Sequence, residues 1–238
     1  MLISARNLDF RELNKQIRAS EDDVRIGGCY GQRFIGAGMR GKKIAITGTP
    51  GNALGAYLDG GIIDVNGNAQ DAVGDTMNDG KIIVHGSAGD ALGYAMRGGS
   101  IFIRDDAGYR AGIHMKEYKD KKPAIIIGGK AGSFLGEYLA GGIIVVLDIG
   151  ESGIPVGNYA GTGMHGGKIF IRTNVQLMGF PEQVVSNVAD EDDLREIEPY
   201  ISEFAGYFNK DAERLLQDRY YVLKPNEKNP YHMLYTAN

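Results

Sequence analysis

The chain has 238 residues, 43% of them hydrophobic and 24% charged, the composition of an ordinary globular protein rather than a disordered one. Its net charge of −4 supplies no concentrated basic surface, so nucleic acid is not an expected partner. The single cysteine, Cys29, can form neither an internal disulfide nor a multi-ligand metal site, and it reads as a small buried residue.

Residues 7–20 (NLDFRELNKQIRAS) place Phe10, Leu13 and Ile17 on one side of a short helix, within an N-terminal capping segment spanning 1–23. The N-terminus carries no signal-peptide pattern, and the chain has no run of 18 apolar residues. No membrane partner is expected, and the expected compartment is the cytoplasm.

From residue 24 the chain repeats. The stretches 48–62 (GTPGNALGAYLDGGI), 67–82 (GNAQDAVGDTMNDGKI) and 86–101 (GSAGDALGYAMRGGSI) are one unit written three times. Their central glycines, Gly55, Gly74 and Gly93, are 19 residues apart, and Gly36 and Gly112 extend the series at the same step. Insertions stretch the next two steps to 24 and 25 residues, at Gly136 and Gly161, for seven copies in all. The 36 glycines are about twice the usual share. They read as ordered punctuation at sharp corners, where glycine accepts a positive φ without a Cβ penalty.

A fixed period near 20 residues means stacked units, because one such unit cannot bury its own apolar face. Each copy holds a short β-branched run, such as 43–47 (KIAIT), 81–85 (KIIVH) and 143–147 (IIVVL), which reads as a strand. The glycine-rich remainder cannot propagate a helix, so the expected fold is all-β, a parallel β-helix of about seven coils over residues 24–172. At about 4.8 Å per coil the column is roughly 30 Å long.

Two ladders two residues apart must face inward: Ile44, Ile63, Ile82, Ile101, Ile125, Ile144, Ile169, and Ile46, Val65, Val84, Ile103, Ile127, Val146, Ile171. A third follows each central glycine by three residues: Met39, Leu58, Met77, Met96, Met115, Leu139, Met164. Flexible thioethers at that position read as core filling rather than ligand binding. The polar residues Asn52, Asp71, Asp90, Ser133 and Asn158 recur at a corner, where Asn and Asp tolerate the left-handed region and bond their own backbone.

Several motifs weigh against themselves. GAGMRG (36–41) and GTGMHG (161–166) match G-x-G-x-x-G, but a strand, not a helix, is expected after each, which excludes a dinucleotide site. Residues 64–75 resemble a calcium loop through Asp64, Asn66 and Asn68, but Ala69 stands where the sharp-turn glycine belongs. The basic run Lys116–Lys122 (KEYKDKK) reads as a solvated loop. No histidine pair has metal spacing and no nucleophile elbow or phosphate loop is written, so no catalytic, cofactor-binding or metal-ligating residue is assigned. A stacked Asp or His pair on the column surface is the one arrangement a single sequence leaves open.

Between the two inward strand ladders lie Ala45, Asp64, Ile83, Phe102, Ile126, Val145 and Phe170, which must point outward. The last five form an apolar stripe too large to stay wet, to be covered by the chain itself or by a partner. The cover available is a helical C-terminal extension over 173–238. Residues 190–208 begin with acids suited to a helix start and space Leu194, Ile197, Ile201, Phe204 and Phe208 at helical intervals, with Pro199 inside the run. Residues 211–217 add a shorter helix, and 219–238 read as an extended arm.

The coil grammar of GQRFIGAGMRG, GNALGAYLDGG, GDALGYAMRGG and GSFLGEYLAGG, followed by IIVVLD, resembles the C-terminal GXGXG domain of the glutamate synthase large subunit, over about residues 24–172. The resemblance implies a right-handed β-helix that braces glutamine amidotransferase and FMN-dependent synthase domains and carries none of their catalytic, flavin or iron–sulfur residues. It implies a non-catalytic scaffold subunit of an oxidoreductase in glutamate biosynthesis. FMN and an iron–sulfur cluster would sit on partner subunits, and self-association is possible. Alternatives are a subunit like the related C subunit of formylmethanofuran dehydrogenase, or a stand-alone carbohydrate-active β-helix enzyme with paired outer carboxylates.

Overall fold

A computed structural model describes the chain over residues 1–226. The strands are β1 (Leu2–Ser4), β2 (Val24–Tyr30), β3 (Lys43–Thr49), β4 (Asp59–Asn66), β5 (Asp79–Val84), β6 (Ser100–Ile103), β7 (Ala124–Ile127), β8 (Ala140–Val146), β9 (Gly166–Arg172), β10 (Val184–Val188) and β11 (Tyr220–Pro225). Helices α1 (Phe10–Ala19), α2 (Glu191–Phe208) and α3 (Ala212–Gln217) are a minor part. From β1 to β9 every strand pairs in parallel with the next, forming a β-solenoid of about eight turns. The register sets Ile44, Ile63, Ile82, Ile101, Ile125, Ile144 and Ile169 side by side on successive strands, all buried.

The eighth turn arises because β2 adds a strand, Val24 beside Ile44 and Ile26 beside Ile46, without a glycine turn of its own. Helix α1 takes that turn's place. In the other coils the central glycine N–H donates to the previous coil, as Gly55 does to the Ile35 carbonyl at 2.8 Å. Gly36 has no such coil before it, and its N–H donates to the Asn14 side chain of α1 at 3.2 Å. Asn14 is accordingly buried with Leu13 and Ile17, so a side-chain amide stands in for a missing strand of backbone.

Inside, the two strand ladders and the Met/Leu ladder meet two further rows. One precedes each central glycine (Ile35, Leu54, Val73, Leu92, Ala111, Leu135, Ala160) and one is the bridged series Ala69, Ala88, Ala107, Ala131, Val156. The central glycine is required by this packing. A Cβ on Gly93, at φ +66°, would stand 2.4 Å from the Ile125 side chain of the next coil. Two residues earlier a non-glycine adopts the same left-handed backbone, at Ala53, Ala72, Ala91, Arg110, Phe134 and Tyr159.

That placement corrects the corner reading. Asn52, Asp71, Asp90, Ser133 and Asn158 do not take the left-handed conformation; the residue after each does. The side chains of the first four reach up one coil instead. Asn52 accepts from the Asp71 N–H at 3.4 Å, Asp71 from Asp90 at 2.9 Å, Asp90 from Tyr109 at 2.8 Å, and Ser133 from Asn158 at 3.1 Å. Stacking at 4.8 Å brings a neighbour's N–H nearer than the residue's own turn.

The outer stripe is covered by the chain itself. Ile83, Phe102, Ile126, Val145 and Phe170 form one buried cluster with Ile197, Ile201, Phe204 and Phe208 of α2, Leu215 of α3, and Tyr220 and Val222 of β11. Helix α2 runs unbroken through Pro199, and Asp190 caps it by accepting from the Asp193 N–H. Strand β11 lies antiparallel on β9 and continues both faces of the sheet, Leu223 joining the interior and Val222 the outer cluster. The arm expected over 219–238 is therefore a strand in its first part; residues 227–238 lie outside the described residues.

A row of ion pairs fixes α2. Asp193 accepts from Lys168 of β9 and Lys224 of β11, both at 2.9 Å, and Glu196 accepts from Lys168 at 2.6 Å and pairs with Lys122. Glu203 pairs with Lys81 of β5 and accepts from the Tyr207 hydroxyl at 2.6 Å. The run 116–122 is thus not simply a solvated loop, since Lys122 holds α2 and Lys121 bonds Asp79 at 3.0 Å.

Candidate docking face

A surface that the repeat pattern did not announce is the outer side of the glycine turns. The turns stack by backbone bonds made by residues two after the central glycine: Tyr57 N–H to Asp75 carbonyl, Thr76 to Tyr94, His114 to Glu137 and Tyr138 to Thr162, all between 2.7 and 2.9 Å. Side chains at these positions cannot enter the filled interior, and outward aromatics gather here and at the positions on either side of the glycine. Phe34, Tyr57, Tyr94, Tyr109, Tyr138 and Tyr159, from three residues before to two after the central glycine of their coils, are between 41% and 59% exposed and form the aromatic edge of the glycine turns.

Neighbouring coils partly order this edge. His114 stacks on Tyr138 with centroids 5.0 Å apart and planes 7° apart, and Tyr94 meets His114 edge-on at 6.0 Å. Phe134 stacks on Tyr159 at 5.1 Å, with the Arg110 guanidinium 4.7 Å above Phe134 and 2.9 Å from Glu137. Exposed rigid aromatics with hydroxyl tips, interspersed with Arg and acids, are the chemistry of protein–protein contact. The signal was present in GAYLDGG, ALGYAM and GEYLAGG, but across the copies the aromatic wanders from three residues before the central glycine (Tyr109) to two after it (Tyr57, Tyr138) and so falls out of a strict ladder count.

The other candidates fall elsewhere. Cys29 is buried, its Sγ 3.3 Å from the Gln32 side chain, and burial pushes its thiol up to about 11. The residues of the calcium-like loop part company: Asn68 accepts from the Ser87 N–H, while Asp64 turns to His85. Among the described residues no group of three His, Cys, Asp or Glu is placed to hold a metal ion. The glycine motifs at 36 and 161 lead into β3 and β9, and a Cβ on Gly36 would meet Ile63 and Ile44, so these turns face the core and do not fit a dinucleotide phosphate.

A stacked carboxylate–imidazole pair does exist. Asp64 Oδ1 lies 3.1 Å from His85 Nε2, half-buried beside Phe208 of α2. Its spacing, one period plus two residues, joins different rows of the repeat and no single ladder displays it. A cavity of about 280 Å³ lies between Arg172, Asp148 and Asp218. Its charges are already engaged: Arg172 donates to Asp218 and to the Leu147 carbonyl, both at 2.7 Å, and Asp148 accepts from Ser152 and Gly153. That cluster ties the C-terminal segment to the last coils.

A family model for the GXGXG motif matches residues 12–226, nearly the whole chain. The chain belongs to the GXGXG motif family. The motif is found in the C-terminal region of the glutamate synthase large subunit, which gives this GXGXG protein a glutamate synthase-like relation. A relative from Methanocaldococcus jannaschii, named uncharacterized protein MJ1350, is 43% identical over 253 aligned residues that take in 100% of this chain and 97% of the relative. Among the described residues of this GXGXG chain, no helix is long and apolar enough to cross a membrane.

Proposed function

We propose that the chain is a structural subunit of a glutamate synthase-like complex, with its aromatic edge as the seat of the partner subunits. Partner chains would supply the glutamine amidotransferase and the FMN-dependent synthase, with FMN and an iron–sulfur cluster. There, ammonia released from glutamine would add to 2-oxoglutarate and be reduced by flavin electrons. This chain's part is mechanical: a rod of fixed 4.8 Å spacing presents anchors whose relative positions do not change on binding.

The observation that carries the reading is the bare aromatic edge. Aromatic side chains bury about 150–250 Å² each, so six of them half-exposed offer on the order of 600 Å², approaching the ~800 Å² per partner of a stable interface. The test is co-expression with amidotransferase and FMN-synthase chains of the source organism, followed by purification through this chain. The expected result is a flavin-bearing complex that forms glutamate from glutamine and 2-oxoglutarate, and that a Tyr57→Ser, Tyr94→Ser, Tyr138→Ser variant fails to assemble. Assembly unaffected by that triple variant, or a complex without flavin, overturns the reading.

A further inference from the structure

The sheet ends at β10, which pairs with β11 on one side and with no strand beyond it among the described residues. Ala189 N–H donates to the Tyr220 carbonyl at 2.9 Å and Asn226 N–H to the Gln183 carbonyl at 2.8 Å. In an antiparallel pair such bonds alternate, so the odd-numbered residues of this stretch address β11 and the N–H and C=O groups of Ser186 and Val188 point away from the sheet. The strand reads VVSNV, without charge, proline or bulge, and Val185 and Val188 are 40% and 51% exposed. Proteins ordinarily blunt such an edge with one of those devices, and this one has none.

We propose that β10 receives an extended strand of a partner chain, apolar in its middle and basic at both ends, by strand addition to the open edge. The ends of β10 decide the occupant. Glu182 precedes it, and Asp190, Glu191 and Asp192 follow it. Arg195 offsets part of this charge, lying 2.7 Å from Asp192 and 3.4 Å from Glu191. A second copy paired antiparallel about Ser186 would set Glu182 against Asp190 of the other copy at both ends, and like charges directly opposite destabilise a strand pair. Asp190 cannot turn away without giving up the cap of α2. A strand with Lys or Arg at each end meets these acids favourably. This inference does not depend on the scaffold reading, because it rests on the outward backbone groups of Ser186 and Val188 and on the acids at the ends of β10, none of which that reading uses.

The test uses the full chain and two labelled peptides, Lys-Lys-Val-Thr-Val-Thr-Val-Lys-Lys and the same sequence with Glu for every Lys, followed by fluorescence anisotropy. The lysine-ended peptide is expected to bind, the glutamate-ended one at least 10-fold more weakly. Ser186→Pro removes an outward N–H without touching the β11 pairing, and is expected to weaken binding at least 10-fold at unchanged circular dichroism. Val188→Lys, at an exposed position, is expected to weaken it likewise and stands in if the proline variant misfolds. Equal binding of both peptides, no binding of either, or indifference to both substitutions overturns the proposal. So does a dimer of the free chain that Ser186→Pro converts to monomer, or binding that appears only after residues 227–238 are removed.

Discussion

The column carries two outward rows in step with its coils, one along the strands and one along the glycine turns, and the chain treats them oppositely. The strand row is flat and continuous: five apolar side chains on adjacent strands span about 19 Å, and α2, 18 residues long, has a length of about 27 Å to lie across them. The turn row curves through left-handed residues and its aromatics alternate with acids such as Asp71, Asp75 and Asp90; its middle coils expose Tyr57, Tyr94 and Tyr138, while at its two ends Phe10 of α1 meets Phe34 at 5.7 Å and residues 177–180 flank Tyr159. An outward apolar ladder is therefore not in itself an interface. What separates the two is whether the chain owns a cover of matching shape and charge.

Removing the cover should break the comparison most severely. Deletion of residues 190–238 strips α2, α3 and β11 from Ile83, Phe102, Ile126, Val145 and Phe170, and both rows then become bare. The expected outcome is strong binding of a hydrophobic dye and loss of monodisperse protein in light scattering. A truncated chain that stays monomeric and dye-silent would mean that the strand row does not need covering. A smaller injury tests the same contact: Phe204→Ala removes a fully buried ring packed against Phe208 at 4.7 Å. Chemical denaturation should show a loss of about 3–5 kcal/mol.

The ion-pair row comes next. Burial alone would raise the Asp193 carboxyl, but hydrogen bonds and charge from Lys224 and Lys168 outweigh it and hold the group below its ordinary value; Glu196 is held down likewise by Lys122 and Lys168. Lys168 is shifted the other way, burial being outweighed by Glu196 and Asp193. A depressed carboxylate contributes stability that is complete above its unfolded value, about 4, and lost as pH falls through its folded value. A raised lysine contributes stability that is complete below about 10.4 and lost as pH rises through its folded value. Hydrogen-exchange protection of α2 should thus be level from about pH 5 to 9 and fall outside that window. Asp193→Ala should cost about 1.5–3 kcal/mol at neutral pH, and protection of α2 that ignores both the pH and the substitution would break this account.

How far each region could be read from sequence follows from the same contrast. Ile63, Ile82 and Ile101 announce themselves because a 19-residue step repeats them, and the stripe at Phe102 and Phe170 follows by alternation. The helical spacing of Ile197, Ile201 and Phe204 is legible too. The partners of Asp193 are not, because Lys168 and Lys224 come from elements with no common period, and neither is Asn14, which replaces a coil that the sequence never writes. The corner residues Asn52, Asp71 and Asp90 were visible, but their role depends on the distance between coils rather than on their own backbone. The aromatic edge was obscured because its side chains stand on either side of the central glycine, from Tyr109 three residues before to Tyr138 two after, and no single position of the repeat displays them.

The smallest expected effect on stability is the most informative about the bare row. Tyr57 is 57% exposed, and its backbone holds the turn through its N–H rather than its ring. Tyr57→Ala keeps that N–H, so its cost in denaturation should stay within about 0.5 kcal/mol, as at other exposed positions. An aromatic anchor at the centre of an interface typically contributes about 2 kcal/mol or more to binding, so the same substitution should weaken capture of the partner subunits roughly 30-fold. The two readouts must diverge for Tyr57, whereas for Phe204 stability carries the effect. If Tyr57→Ala unfolds the chain as readily as Phe204→Ala does, the turn row belongs to the core and the distinction between covered and bare rows fails. If it moves neither readout, the edge is exposed but idle, and the partners must sit elsewhere on the column.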